Sequence, residues 1–109
     1  MTTDWNVTLA EALGQIGDDP RFHVAMRHGS MSVELYAPRG EDRQSPHRQD
    51  ELYIIASGQG TFVKAEERVA FAPHDVLFVE AGVDHRFEDF SDDFSTWVIF
   101  WGPDGGEKA

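Results

Sequence analysis

Short apolar stretches recur along this chain at 22–28, 31–37, 51–57, 60–64, 68–71, 76–79, 84–88 and 96–101. Glycine, proline or acidic residues separate most of them. Met31, Val33 and Leu35 alternate with Ser32, Glu34 and Tyr36, the period of two of a half-buried strand. Many short strands with turn signals between them predict an all-β domain, a sandwich or a barrel. Two stretches are apolar on both faces: Leu52-Tyr53-Ile54-Ile55 and Trp97-Val98-Ile99-Phe100-Trp101. One face of each can fill the barrel, and the other must be covered by the second sheet, a helix or another subunit. A domain this small has little material for that cover, so a homodimer is expected.

One helix precedes the strands. Thr8 and Glu11 have capping-box spacing, and Leu9, Ala12, Leu13 and Ile16 follow at helical intervals before Gly17 and Pro20. The pattern predicts a helix over about 8–16, a β-barrel over about 22–101 and a flexible tail over 102–109. With 109 residues the chain has room for a single domain 1–109.

Twenty acidic against nine basic residues give a formal charge of −11, which repels phosphate backbones and anionic lipid. Neither nucleic acid nor a membrane is expected as a partner. The longest strongly apolar run, Trp97 to Trp101, is far below the roughly 20 residues needed to cross a bilayer. Met1-Thr2-Thr3-Asp4-Trp5 has neither a basic nor an apolar leader region. The chain lacks cysteine, which removes disulfides, thiolate metal sites and thiol nucleophiles and fits a reducing compartment. A cytoplasmic protein is expected.

His47 and Glu51 stand just before one apolar strand, and His85 just after another. Two imidazoles and a carboxylate suit a borderline divalent metal and leave coordination positions open. Were residues 47–51 extended, the two Cα atoms would lie about 13 Å apart at roughly 3.3 Å per residue. Sharing an ion therefore requires a bend at Arg48-Gln49-Asp50. The same residues also read as a metal-free arrangement in which Glu51 and His85 pair.

Residues 40–60, and above all Pro46-His47-Arg48-Gln49-Asp50-Glu51-Leu52-Tyr53-Ile54-Ile55-Ala56-Ser57-Gly58-Gln59-Gly60, resemble the first sequence motif of the cupin superfamily. Glu51 to Gly58 has its Glu-x6-Gly spacing. His74 to Asp89 is similar to the second motif: Gly82 and His85 match, while His74, Glu80 and Asp89 replace its glycine, proline and asparagine. The resemblance covers about residues 30–101. It implies a double-stranded β-helix, or jelly-roll barrel, of the small single-domain kind without assigned activity. The family's His-His-Glu-His set is reduced here to His47, Glu51 and His85. Either Ser45 or Gln49 occupies the missing histidine position, and Gln49 or Gln44 can add an oxygen ligand. Ring-opening dioxygenases within the family resemble this pattern in using His, Glu and His on iron.

The resemblance implies one divalent ion (Fe, Mn, Ni or Zn) and a dioxygenase- or isomerase-like enzyme acting on a small organic molecule. Two alternatives stand beside it: a non-catalytic small-molecule sensor with the same pocket, and an interaction or structural barrel. Strand alternation puts Tyr53 on the face of Glu51 and Phe87 on the face of His85, so both are expected as pocket walls. Arg43, and Arg48 beside it, can hold an anionic substrate. Arg86 alternates away from that face. Glu88 to Phe94 reads as a solvated acidic loop pinned by Phe90 and Phe94, or as a cation site. Gly58-Gln59-Gly60 reads as a strand-connecting turn.

Overall fold

The computed structural model describes residues 5–18 and 20–108. Met1–Asp4, which entered the reading of the leader, lie outside the described residues, as do Asp19 and Ala109. Helix α1 spans Leu9–Gly14. Its N-cap is Thr8, whose hydroxyl accepts the Glu11 amide at 3.1 Å. The helix stops earlier than its apolar periodicity suggests. Gln15 and Ile16 bond to the carbonyls of Ala12 and Leu13, three residues back, and this tighter turn ends the helix before Gly17. Of the expected apolar stripe Ala12 is buried, whereas Leu13 faces solvent.

Eight strands follow: β1 Phe22–His28, β2 Met31–Tyr36, β3 Asp50–Ser57, β4 Gly60–Lys64, β5 Glu67–Phe71, β6 Val76–Val79, β7 His85–Glu88 and β8 Ser95–Trp101. They form a five-stranded sheet, β1-β2-β8-β3-β6, facing a three-stranded sheet, β5-β4-β7. All pairings are antiparallel. No helix among the described residues is long and apolar enough to cross a membrane.

Register fixes what faces inward, because antiparallel partners share a face. Glu51, Tyr53 and Ile55 of β3 stand opposite Phe100, Val98 and Thr96 of β8. Those in turn stand opposite Ser32, Glu34 and Tyr36 of β2. The three-stranded sheet contributes Phe62, Phe71 and Phe87, and with Phe94 these make a continuous aromatic core. The inward face of β2 is therefore its polar one. Met31, Val33 and Leu35 point to the outer side, where Leu35 is nonetheless fully buried.

The segment after β8, expected to be flexible, folds back on the barrel. Positive φ angles at Gly102, Gly105 and Gly106 turn it. The Gly105 amide then donates to the Arg48 carbonyl, and the Glu107 amide to Asp50 Oδ2 at 2.9 Å.

Candidate metal centre

The chain bends at Arg48–Gln49 before β3 begins at Asp50. That bend brings His47 and Glu51 to one place. The Gly82 amide holds the His47 carbonyl at 2.8 Å, and the His47 ring packs edge-on against Phe100 at 4.7 Å between centroids. His85 arrives from the other sheet as the first residue of β7, opposite Lys64. One ligating atom from each of His47, Glu51 and His85 lies within 4.8 Å of the others. His85 Nε2 is 3.0 Å from Glu51 Oε1, and His47 Nε2 is 4.0 Å from Glu51 Oε2.

The donor set fits a divalent cation. Glu51 is 1% exposed, and neither of its carboxylate oxygens accepts a hydrogen bond among the described residues. A buried carboxylate left this way is costly unless a cation meets it. His85 presents the matching lone pair. Its Nδ1 lies 2.8 Å from the Val83 carbonyl, which can only accept, so Nδ1 carries the proton. In the neutral ring Nε2 is then unprotonated and faces Glu51, the tautomer a metal-ligating histidine needs. Burial lowers the His85 pKa, but Glu51 and the Val83 carbonyl more than offset it, and the net shift is upward. A proton on Nε2 and a metal ion would thus compete for one position.

The other expected residues separate into three places. Tyr53 is fully buried in the core, yet its hydroxyl reaches the centre, 3.0 Å from His85 Nε2 and 2.8 Å from Gln44 Oε1. Burial first, and Glu51 next, push its pKa well above the ordinary phenol value, so it keeps its proton. Gln44 stands beside Tyr53, whereas the Gln49 amide is bonded to the carbonyls of Ser30 and Gly102, away from the centre. Phe87, expected as a pocket wall, is 1% exposed and packs in the aromatic core against Tyr53, Phe62, Phe71 and Phe94. Arg86 pairs with Glu88 on the outside.

Open space lies on the β1–β2 side. Two adjoining hollows, ≈ 250 and ≈ 430 Å³, share Phe22, Glu34, His47 and Phe100 as lining. Tyr36, Arg43, Gln44 and Val98 line the first, and Arg27, Arg48 and Gln49 the second. Arg43 is exposed and pairs with Glu41 at 2.8 Å. Glu34 is a pocket residue that hydropathy alone does not reveal. Burial raises its pKa against the opposing pull of Arg27. Alternation along β2 reads Glu34 as a solvent-facing residue, and only its register opposite Val98 turns it inward. Asp42 is also hidden in the sequence: its carboxylate accepts from Tyr36 Oη, the Gln44 amide and side chain, and the Phe87 amide, fixing the loop that carries Gln44.

The chain has known relatives. Residues 32–100 match the family model described as a cupin domain. An uncharacterized protein of Streptomyces coelicolor is 38% identical over 89 residues, covering 80% of this chain and 85% of that one. A cupin-2 domain containing protein from Shewanella frigidimarina superposes with a TM-score of 0.71 at 13% identity, over 88% of this chain and 94% of that one. A variant of Streptomyces PAC13, solved with uridine, superposes with a TM-score of 0.65 at 16% identity, over 97% and 86%. Likeness at such low identity speaks for the barrel alone, but the family model spans most of the strands described above. The chain belongs to the cupin domain family.

Proposed function

We propose that this cupin is a divalent-metal-dependent enzyme, dioxygenase- or isomerase-like, acting on a small organic molecule. His47, Glu51 and His85 would hold one ion, Fe, Mn, Ni or Zn. The observation that carries the reading is the buried Glu51 carboxylate, without a hydrogen bond and 3.0 Å from the Nε2 of His85. When bound, such an ion supplies Lewis-acid polarisation of a substrate oxygen. The chain supplies the rest. Phe22, Val98 and Phe100 offer an apolar wall beside His47, Glu34 and Gln44 offer polar anchors, and Arg43 at the rim attracts an anionic group. The uridine found with the related PAC13 barrel supports a small polar organic molecule as the occupant.

The reading includes a cytoplasmic homodimer joined through the outer face of the five-stranded sheet, where Val76 and Phe78 are 59% and 43% exposed. The test is metal content per chain, by mass spectrometry, on protein purified without a histidine tag or chelator. Near-stoichiometric metal, lost in His47→Ala, Glu51→Ala and His85→Ala, is the expected result. An empty parent that also refuses Fe, Mn, Ni and Zn would overturn it. Metal and ligand binding without turnover across oxidase, isomerase and hydrolase screens would make the protein a sensor instead.

A further inference from the structure

Beside the three donors stands the hydroxyl of Tyr53, between Gln44 and His85. Asp42 already accepts hydrogen bonds from Tyr36 Oη, the Gln44 backbone amide and the Phe87 amide, so it faces Gln44 as an acceptor. The atom of Gln44 turned to it, at 2.8 Å, must be the amide nitrogen, Nε2. The Gln44 carbonyl, Oε1, is thereby turned toward Tyr53 Oη, 2.8 Å away. A carbonyl only accepts, so the phenol proton lies on the Gln44 side. What Tyr53 turns to His85 Nε2, 3.0 Å off, is an oxygen lone pair.

His85 likewise carries its proton on Nδ1, toward the Val83 carbonyl. Three electron-pair donors therefore converge on one spot with no hydrogen among them when the imidazole is neutral: His85 Nε2, Glu51 Oε1 and Tyr53 Oη. Two ligands each about 2.1 Å from a shared ion stand about 3.0–3.4 Å apart. The separations of His85 Nε2 from Glu51 Oε1 and from Tyr53 Oη are both 3.0 Å. Such converging lone pairs repel one another until a cation lies between them.

We propose that Tyr53 is the fourth donor of the centre, a neutral phenol whose lone pair is aimed at the ion because Asp42 and Gln44 take up its proton. This rests on the metal-centre reading and deepens it. Neither glutamine needs to reach the ion: Gln49 is held by loop carbonyls, and Gln44 acts through Tyr53 as a positioning residue.

The test is direct binding of Zn²⁺ and Co²⁺ to the full chain, by calorimetric titration and by the visible spectrum of the Co²⁺ form. Four proteins are compared: the parent, Tyr53→Phe, Gln44→Leu and Phe62→Leu. Tyr53→Phe deletes one oxygen and keeps the ring in the core; Phe62→Leu perturbs the adjacent packing and keeps the oxygen. Thermal unfolding shows which variants are folded. The expected result is metal affinity about 10- to 100-fold weaker in Tyr53→Phe, with an altered Co²⁺ spectrum. Gln44→Leu should weaken in the same direction, and Phe62→Leu should keep the parent spectrum. Parental affinity and spectrum in Tyr53→Phe would overturn the fourth donor and leave the three-ligand centre standing. Equal losses in Tyr53→Phe and Phe62→Leu would assign the effect to packing and overturn it as well. A parent that binds neither ion removes the centre itself, and the Tyr53 proposal with it.

Discussion

Glu51 and His85 meet where water does not reach, and that makes the protonation of one imidazole a property of the whole site. The His85 pKa is raised because Glu51 and Val83 outweigh the cost of burial. A histidine whose folded pKa lies above its unfolded one contributes stability that is fully present below about pH 6.5 and is lost as pH climbs through the folded value. A metal ion held as proposed would compete for the same nitrogen, so its contribution would run the opposite way. The rise in melting temperature on adding Zn²⁺ should therefore grow between about pH 6 and about pH 8. At a hundredfold excess over Kd it should reach roughly 10–20 °C at the upper end. Thermal unfolding with Zn²⁺ and with chelator, at three pH values, checks this; a shift that is flat or shrinks with pH would count against it.

At the scale of elements, the two motif glycines serve different physical ends. Gly58, in the turn from β3 to β4, has φ +85°, and a Cβ there would stand 2.5 Å from the Cα of Phe94. Gly82, before β7, has φ +80° with nothing within 4 Å of its Cβ position. Gly82→Ala should cost only the left-handed backbone strain, about 1–2 kcal/mol. Gly58→Ala adds a backbone collision and should cost about 3 kcal/mol or more. Denaturant unfolding of the two variants decides; equal costs would show that conformation alone matters.

The strands themselves were legible because each short apolar run is cut by a turn residue, and the bend between His47 and Glu51 followed from reach alone. Which end of the interior is hollow was not legible. Alternation correctly groups Tyr53 with Glu51 and Phe87 with His85, but it is blind to depth along the barrel, so it cannot tell wall from core. It also hides the inward face of β2, since Glu34 and Tyr36 look like a solvent face until register sets them against Val98 and Thr96. Helix α1 ends short because local turn bonding, not periodicity, sets its last residue.

For the whole molecule, the outer face of the five-stranded sheet remains more apolar than a free surface requires. Leu52, Ile54 and Ile99 are half-buried there, beside the exposed Val76 and Phe78. Lys64 lies 5.3 Å above the Phe78 ring and pairs with Glu80, a polar rim to this patch. The proposed dimer predicts about twice 12.3 kDa in sedimentation equilibrium for the parent. Leu52→Glu and the more exposed Val76→Glu should both sediment as monomers while keeping their metal. With −11 on each chain, association should tighten as salt rises. A parent that is monomeric at every salt concentration would remove the dimer.

The strand made after all the others, β8, is seated in the middle of its sheet, between β2 and β3. Within the five-stranded sheet, β1–β2 and β3–β6 are two ribbons whose backbones are hydrogen-bonded together only through β8, Ser95–Trp101. Such edges are templates for wrong pairing. Glu51 and Phe100 come opposite one another only at that last insertion. The wall behind the proposed donors is thus completed by the last strand of the chain, although His47, Glu51 and His85 all precede it in sequence.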